Sequence, residues 1–302
     1  MREPPFVSVI IPTYRRGEIL IKTIENVLEQ RYPLFEVIVI DQTPEVEYDQ
    51  SISGYLRRLQ ITCRNFKYIQ LSNPGLPGAR NEGIQHANGS IILFGDDDII
   101  PCEQWIEAHV ANYIDSTIGG VAGRIIEDFK RDKLGDTIGQ FFGKVGHITA
   151  WGRPIGNFDA LYRTTVQTAR GCNMSFRRDV FSKVGLFDER FRGNAQFEET
   201  DFCFRLRRKG FKIVYDPRAC VKHLNSPEGG CRSANRTEWY HDYIHNKALF
   251  FAKNMPVYSH FLFFIAHALI AVREGVLGAC SLSVCKTLLN AMIKGYQEGK
   301  GR

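Results

Sequence analysis

The sequence lacks the residue spacings that mark several common types of site. Its eight cysteines form no C-x-x-C pair, so the pattern of a structural zinc site is absent. It contains neither G-x-G-x-x-G nor G-x-x-x-x-G-K-[ST], which disfavours dinucleotide-dependent dehydrogenases and P-loop NTPases. No signal peptide precedes the first apolar run, Val7–Ile11. Together with the scattered cysteines, this predicts a protein of the reducing cytoplasm.

The chain also has little excess charge in its main part. Over 302 residues, 39 lysines and arginines face 33 aspartates and glutamates, a net charge of +6. Residues 250–302 hold six basic and two acidic residues and supply +4 of it, which leaves +2 for residues 1–249. A nucleic-acid groove needs its charge in the folded body, so nucleic-acid binding is not expected. The 44% of hydrophobic residues can fill a core, which excludes disorder.

Short apolar runs alternate with amphipathic stretches along the first hundred residues. The runs are typical of buried strands, and the stretches between them of helices. The predicted strands are Val7–Ile11, Glu36–Ile40, Asn65–Leu71 and Ser90–Phe94, and the predicted helices are Glu18–Gln30 and Ala79–Ala87. This alternation predicts an α/β protein with a mostly parallel, Rossmann-like sheet flanked by helices. In such sheets ligands bind at the carboxyl ends of the strands.

Two acidic clusters and one histidine are candidate site residues. Asp96–Asp98 follow the predicted strand Ser90–Phe94, and a divalent cation would relieve their mutual repulsion. The alternative is an acidic turn that caps a helix starting near Pro101. Glu198–Asp201 begin another predicted helix, where acids also serve as ordinary first-turn residues. His223 follows an apolar stretch and is either a metal ligand or a core histidine.

Eight segments follow one another along the chain in a recognisable order and spacing. They are VSVIIPTY (Val7–Tyr14), EVIVID (Glu36–Asp41), NPGLPGARNEG (Asn73–Gly83), IILFGDDDIIP (Ile91–Pro101), GCNMSFRR (Gly171–Arg178), GLFD (Gly185–Asp188), FEETDFCFRLR (Phe197–Arg207) and Gly210–His223. Any one segment is weak, but together and in this order they resemble the family 2 glycosyltransferases.

The resemblance implies a GT-A fold that binds a nucleoside-diphosphate sugar. The implied donor-binding residues are Pro12, Thr13 and Tyr14 around the base, Asp41 on the base, Arg80 and Asn81 near the donor, and Asp96 and Asp97 of the D-x-D element near the ribose or sugar. Gln42 stands where relatives often carry a second acid after Asp41. Arg80 would offset diphosphate charge, and the alternative for it is a surface helix arginine.

The resemblance further implies a divalent metal and a catalytic base. Asp98 and His223 would hold Mg²⁺ or Mn²⁺ on the diphosphate. The base would be Glu199, at a position where relatives carry aspartate, with Glu198 as the alternative. One base and a direct attack by the acceptor imply inversion at the anomeric carbon.

The pattern divides the chain into a catalytic domain at residues 1–225 and a C-terminal helical extension at residues 226–302. Residues up to about 115 would form the nucleotide-binding half of the catalytic domain, and residues 116–225 the acceptor-side half. This division combines the matched segments with the helical pattern of the C-terminal residues.

The C-terminal extension contains two further predicted helices. In Val257–Val272, 13 of 16 residues are apolar, and a second helix is predicted at Leu277–Met292. A membrane-spanning helix needs about 20 predominantly apolar residues, so a span is the least favoured interpretation. The others are peripheral contact of residues 250–302 with an anionic membrane, and packing on the catalytic domain or in a homodimer.

The sequence therefore predicts an inverting, metal-dependent glycosyltransferase of bacterial-type polysaccharide assembly. Its donor would be a nucleoside-diphosphate sugar and its acceptor a glycan or a lipid-linked sugar. It would work in the cytoplasm, at the inner face of the plasma membrane if the extension binds there. The rivals are a non-catalytic nucleotide-sugar- or carbohydrate-binding relative and a sugar nucleotidyltransferase, which would need a glycine-rich loop that Pro12–Gly17 does not provide.

Overall fold

The computed structural model describes residues 3–44, 47, 50–128, 133–230, 235–276 and 282–301. In these residues the strands are β1 (Val7–Thr13), β2 (Phe35–Asp41), β3 (Phe66–Gln70), β4 (Ile91–Gly95), β5 (Ile99–Pro101), β6 (Ile118–Glu127), β7 (His147–Ile148), β8 (Pro154–Ile155), β9 (Thr164–Thr165), β10 (Asn173–Arg177) and β11 (Lys212–His223). The helices are α1 (Glu18–Leu28), α2 (Gln50–Thr62), α3 (Leu76–His86), α4 (Trp105–Val110), α5 (Lys133–Phe142), α6 (Arg178–Val184), α7 (Glu198–Arg208), α8 (Arg236–Asn254), α9 (Val257–Val276) and α10 (Leu282–Gly299).

A single central sheet organises the chain. Its strand order is β3-β2-β1-β4-β10-β6-β11-β5, and β9 pairs with β11. Strands β3, β2, β1 and β4 are mutually parallel, and β6 and β11 are parallel to each other. Strand β10 runs antiparallel between β4 and β6. The predicted mostly parallel α/β architecture is confirmed.

Burial explains why the apolar runs form central strands. Every residue of β1 and of β2 is buried, as expected for strands covered on both faces. Helix α1 covers the sheet with a stripe at helical spacing, Leu20, Ile24 and Val27. All four strands and both helices predicted in the first hundred residues occur, with boundaries shifted by a few residues.

The topology brings several chain segments to one edge of the sheet. The strand order reverses between β1 and β4, whose carboxyl ends are Thr13 and Gly95. Strand β11 ends at the same edge with His223, and the antiparallel β10 begins there, since Asn173 pairs with Gly95. This reversal is where an open α/β sheet offers a crevice for ligands.

The segment after Asp96–Asp98 does not form the helix near Pro101 that one of the alternatives predicted. No helix starts near Pro101, which instead lies in β5 and pairs with Val221 of β11. Helix α4 begins only at Trp105. The interpretation of Asp96–Asp98 as caps of that helix is therefore wrong, because a strand separates them from it.

The C-terminal helices share a second hydrophobic cluster with the sheet domain. Phe250 of α8 stacks on Phe197 before α7, and Phe251 stacks on Phe263 of α9. Helix α10 packs mainly on α8. The helix predicted from Leu277 is described only from Leu282, and residues 277–281 lie outside the described part. The boundary at residues 225/226 stays a prediction.

None of the helices that the structure describes combines the length and the apolarity needed to cross a membrane.

Candidate active site

A cavity of about 210 Å³ opens at the sheet edge where the strand order reverses. Ten of the twelve predicted site residues line it. They are Pro12, Thr13, Tyr14, Arg80, Asp96, Asp97, Asp98, Glu198, Glu199 and His223. These residues come from five elements or the turns that follow them, and the strands among them meet here because parallel strands present their carboxyl ends at one edge.

The other two predicted residues lie outside the cavity wall. Asp41 accepts hydrogen bonds from the Thr43 amide (2.9 Å) and the Tyr68 hydroxyl (3.1 Å), and it lines a smaller neighbouring cleft. Gln42, the next residue, lines the main cavity instead. Asn81 is buried and binds the backbone of Phe187, so it ties α3 to the loop after α6.

Asp96, Asp98 and His223 form a cluster with the chemistry of a divalent-metal site. Their ligand atoms all lie within 4.8 Å of one another. His223 Nε2 is 3.0 Å from Asp98 Oδ1 and 3.7 Å from Asp96 Oδ2. Asp98 Oδ1 is buried and accepts no hydrogen bond of normal geometry from the described residues. Two carboxylates and an imidazole facing one point fit a divalent cation.

Glu127, at the end of β6, holds the histidine of this cluster. Its Oε1 lies 3.1 Å from His223 Nδ1, and its Oε2 accepts from Arg170 at 3.2 Å. A carboxylate on Nδ1 leaves Nε2 of a neutral imidazole free to face a metal. Without metal, the carboxylates of Asp98 and Glu127 outweigh burial and raise the pKa of His223 to about 9. Against the effect of burial, the contacts with His223 and Arg170 lower the pKa of Glu127 to about 2.

Arg16 supports the aspartate segment from the β1 side. Its guanidinium contacts Asp97 Oδ1 at 2.8 Å and Asp98 Oδ2 at 3.2 Å. Thr13 donates a hydrogen bond to the other oxygen of Asp97 at 2.7 Å. Burial, stronger than the opposing effect of Arg16, raises the pKa of Asp97 to about 6. Asp97 is therefore held in place by Thr13 and Arg16, whereas about a third of the Asp96 side chain is exposed at the cavity.

Arg80 is buried beneath the cavity and is not a surface arginine. Its guanidinium forms an ion pair with Glu198, lies 3.9 Å from Asp96 and packs against the rings of Phe94 and Phe187. Gly171 provides the room, because a Cβ at that position would collide with the Arg80 guanidinium.

Glu199 occupies a different environment from its neighbour. It lines the cavity, is only partly buried and forms no ion pair with another described side chain. Burial raises its pKa, against the lowering effects of Arg80 and Arg170. The residue before the helix, Phe197, has φ of +74° and offers no side-chain cap. This left-handed turn, costly for a non-glycine residue, starts α7 with both glutamates at the cavity.

Sequence reasoning missed several residues of this cavity. Arg16, Arg170 and Trp239 line it, and Glu127 lies directly behind His223. Arg16 closely follows the Pro12–Tyr14 segment, and Glu127 ends an apolar run. Their positions near strand ends could therefore have indicated that they lie at the site. Trp239 comes from α8 and carried none, because nothing local indicates that this helix folds back over the cavity.

Comparisons with known proteins agree with this geometry. Residues 8–185 match the model of "Glycosyl transferase family 2". The glucosyl-dolichyl phosphate glucuronosyltransferase of Haloferax volcanii is 28% identical over 227 residues, covering 72% of this chain and 68% of the relative. Glycosyltransferase AglE of the same organism is 34% identical over 126 residues, 40% of each chain.

Solved structures show the same fold. The mannosyltransferase PcManGT of Pyrobaculum calidifontis, in complex with GDP-Man and Mn²⁺, aligns with a TM-score of 0.60 at 18% identity, covering 98% of this chain and 82% of that one. S. aureus TarS in complex with UDP-GlcNAc aligns with a TM-score of 0.63 at 16% identity, covering 97% and 81%. With the family match over more than half of its length, the chain belongs to glycosyl transferase family 2 and is a glycosyltransferase with the GT-A fold.

Proposed function

We propose that the protein is an inverting, metal-dependent glycosyltransferase. It moves a sugar from a nucleoside-diphosphate donor to a hydroxyl of a glycan or lipid-linked acceptor. The observation that carries this proposal is that one cavity holds both kinds of group that the reaction needs. Asp96, Asp98 and His223 form a cluster that fits a divalent cation, and Glu199, without an ion-pair partner among the described residues, lines the same cavity.

The donor would bind against the carboxyl ends of β1 and β4. Pro12, Thr13 and Tyr14 would contact the base, with Gln42 closer to the cavity than Asp41. Asp96 would contact the ribose or sugar, while Asp97, held by Thr13 and Arg16, would fix the turn. Arg80 would add positive charge beneath the donor.

Asp98 and His223 would hold Mg²⁺ or Mn²⁺, with Asp96 within reach of the same point. When bound, the ion supplies Lewis-acid stabilisation of the nucleoside-diphosphate leaving group. Glu127 would keep His223 in the tautomer that presents Nε2. Two solved structures with this fold were determined with Mn²⁺, which favours manganese as the first metal to test.

Glu199 would be the catalytic base. Its carboxylate would accept the proton of the acceptor hydroxyl while the hydroxyl oxygen bonds to the anomeric carbon and the carbon–oxygen bond to the diphosphate breaks. A raised pKa suits a group that must accept a proton near neutrality. Because Glu198 is engaged by Arg80, it would serve the site by fixing that arginine.

The acceptor is proposed from the relatives and from the C-terminal surface. One relative acts on a glucosyl-dolichyl phosphate, and another is named an O-antigen biosynthesis protein, so a lipid-linked acceptor in glycan assembly fits. Helix α9 exposes Val257, Tyr258 and Phe261, which would contact lipid at the inner face of the membrane. A homodimer through this surface is the alternative.

Donor and product analysis tests the proposal. Purified protein with Mn²⁺ is screened against UDP-, GDP- and dTDP-sugars by thermal shift and nucleotide release. One nucleotide should stabilise the protein, and nucleoside diphosphate should be released; chelation and Asp98→Asn should both abolish release. Glu29→Gln, which changes the exposed acid directly after α1, is the control. Release of pyrophosphate from a nucleoside triphosphate and a sugar 1-phosphate, supplied in a parallel assay, would indicate a nucleotidyltransferase instead, and the absence of any nucleotide binding would contradict the proposal.

A further inference from the structure

Lys247 of α8 is a buried lysine without a carboxylate partner among the described residues. Only 8% of it is exposed, and its Nζ donates to His267 Nε2 at 3.2 Å. The same Nζ lies 5.6 Å from the ring centroid of Tyr243. Buried lysines are rare unless paired, because removing an ammonium from water is costly.

His267 cannot neutralise this lysine. Its Nδ1 lies 2.8 Å from the carbonyl oxygen of Phe263, so Nδ1 donates and Nε2 carries the lone pair that Lys247 binds. Burial, followed by the charge of Lys247, lowers the pKa of His267 to about 4 and keeps the ring neutral. The histidine orients the ammonium and leaves its charge uncompensated.

A second cation lies next to Lys247. The backbone at Gly152 packs so closely that a Cβ there would lie 3.3 Å from Lys247 Cε, and Arg153 is the next residue. Burial and then the charge of Arg153 lower the pKa of Lys247 to about 8. The charge of Arg153 therefore acts on Lys247 at the junction of α8, α9 and the loop before β8. An anion at this junction would supply the counter-charge that Lys247 lacks among the described residues.

The junction is connected to the active-site cavity along one face of α8. Trp239 lines the cavity and stacks on Tyr243, with ring centroids 5.2 Å apart. Tyr243 also contacts Phe197, two residues before Glu199, and Lys247 lies over the Tyr243 ring. Residues 239, 243 and 247 follow i, i+4, i+8 spacing, about 12 Å along a helix axis. The three side chains therefore form one line of contacts from the cavity to Lys247.

We propose that Lys247 binds the phosphate group of the acceptor. The inference rests on the proposed function and specifies its substrate class as a phosphate-bearing acceptor. The aromatic rings of Trp239 and Tyr243 would support the acceptor sugar between the two sites. A lipid chain attached to the phosphate could continue along α9, whose exposed residues include Phe261 and Leu262.

Equilibrium binding of farnesyl phosphate, farnesol and inorganic phosphate tests this site. The variants are Lys247→Met, which keeps the side-chain length, Lys247→Arg, which keeps the charge, and Lys22→Met, which removes an exposed lysine of α1. Lys247→Met should weaken farnesyl phosphate binding by about ten- to a hundredfold. Lys247→Arg should retain most of it, and Lys22→Met should match the wild type. Equal binding by wild type and Lys247→Met would overturn the proposal.

The remaining measurements separate the alternatives. Farnesyl phosphate binding more tightly than inorganic phosphate supports a lipid-linked source, and equal Lys247-dependent binding supports a soluble phosphate ester. Donor nucleotide binding with Mn²⁺ should not change in Lys247→Met; if no nucleotide binds even to the wild type, the proposed function fails while the phosphate result stands. Should Lys247→Met not fold, farnesyl phosphate must slow acetylation of Lys247 in the wild type, read by mass spectrometry. A lack of protection would contradict the site.

Discussion

The buried ion pair between Arg80 and Glu198 gives two adjacent glutamates different environments. Both glutamates line the cavity, but the Glu198 carboxylate is paired with the guanidinium of Arg80, whereas Glu199 has no ion-pair partner among the described side chains. Gly171 leaves the space in which Arg80 lies. The two carboxylates are neighbours in the chain, but only that of Glu199 lacks a charged partner among the described side chains.

Replacing Glu199 should remove catalysis and leave the fold intact. In Glu199→Gln we expect kcat to fall by about 10²- to 10⁴-fold, the usual contribution of a general base. The melting temperature and the affinity for donor nucleotide should stay close to wild type because no described ion pair is lost. Steady-state kinetics with nucleotide release measures the first, and thermal denaturation the second. Full activity in this variant would exclude Glu199 as the base.

Replacing Glu198 should instead destabilise the protein. In Glu198→Gln the buried guanidinium of Arg80 loses its counter-charge, and breaking a buried pair typically costs about 3–5 kcal/mol. Urea denaturation should show a lower free energy of unfolding than for Glu199→Gln. If the two variants have the same free energy of unfolding, the Arg80–Glu198 ion pair does not stabilise the fold.

Replacing Glu127 should weaken metal binding. In Glu127→Gln the His223 ring loses the carboxylate that faces Nδ1 at 3.1 Å, and loss of such a partner costs about 10- to 100-fold in metal affinity. Titration of Mn²⁺ followed by electron paramagnetic resonance measures the affinity. Thermal denaturation in the presence of chelator serves as the control for folding. Unchanged Mn²⁺ affinity would mean that His223 is not a ligand or needs no support.

The attachment of α8 to the loop after α6 should depend on pH through Asp188. This carboxylate forms ion pairs with Lys253 and, at 2.7 Å, with Arg190. Their hydrogen bonds hold the pKa of Asp188 below its usual 3.8 despite partial burial. The stabilisation is therefore present above pH 3.8 and is lost as the pH falls below it.

Urea denaturation of wild type and Asp188→Asn across this range measures the effect. The wild type should be more stable above pH 3.8, and the difference should shrink below it. Lys253 keeps a second partner, Asp201 at 2.8 Å, so the variant should still fold. A difference that does not change with pH would show that Asp188 is not responsible.

The exposed side chains of α9 should govern membrane contact. Tyr258 and Phe261 are 73% and 71% exposed, and replacing both with serine removes apolar surface without opening the core. We expect the double variant to float less with anionic vesicles than the wild type. Sedimentation equilibrium tests the alternative: if the variant instead changes a dimer into a monomer, the surface is a subunit interface.

The sequence by itself determined the sheet, its edge and most of the cavity wall. Continuous apolar runs such as Val7–Ile11 indicate strands covered on both faces, and parallel strands place their carboxyl ends together. This places Asp96 and Asp98 at that edge, and the family resemblance adds His223, which the structure brings within 4.8 Å of them. The reason is that strand identity follows from local patterns of polarity.

Only the tertiary structure decided which of these side chains face a ligand. Consecutive helix residues point about 100° apart, so the separation of Glu198 from Glu199 depends on how α7 is rotated against Arg80. The contribution of Trp239 and the pairing of Lys247 with His267 depend on α8 and α9 folding back over the sheet. These contacts join residues far apart in the chain, and no local pattern encodes them.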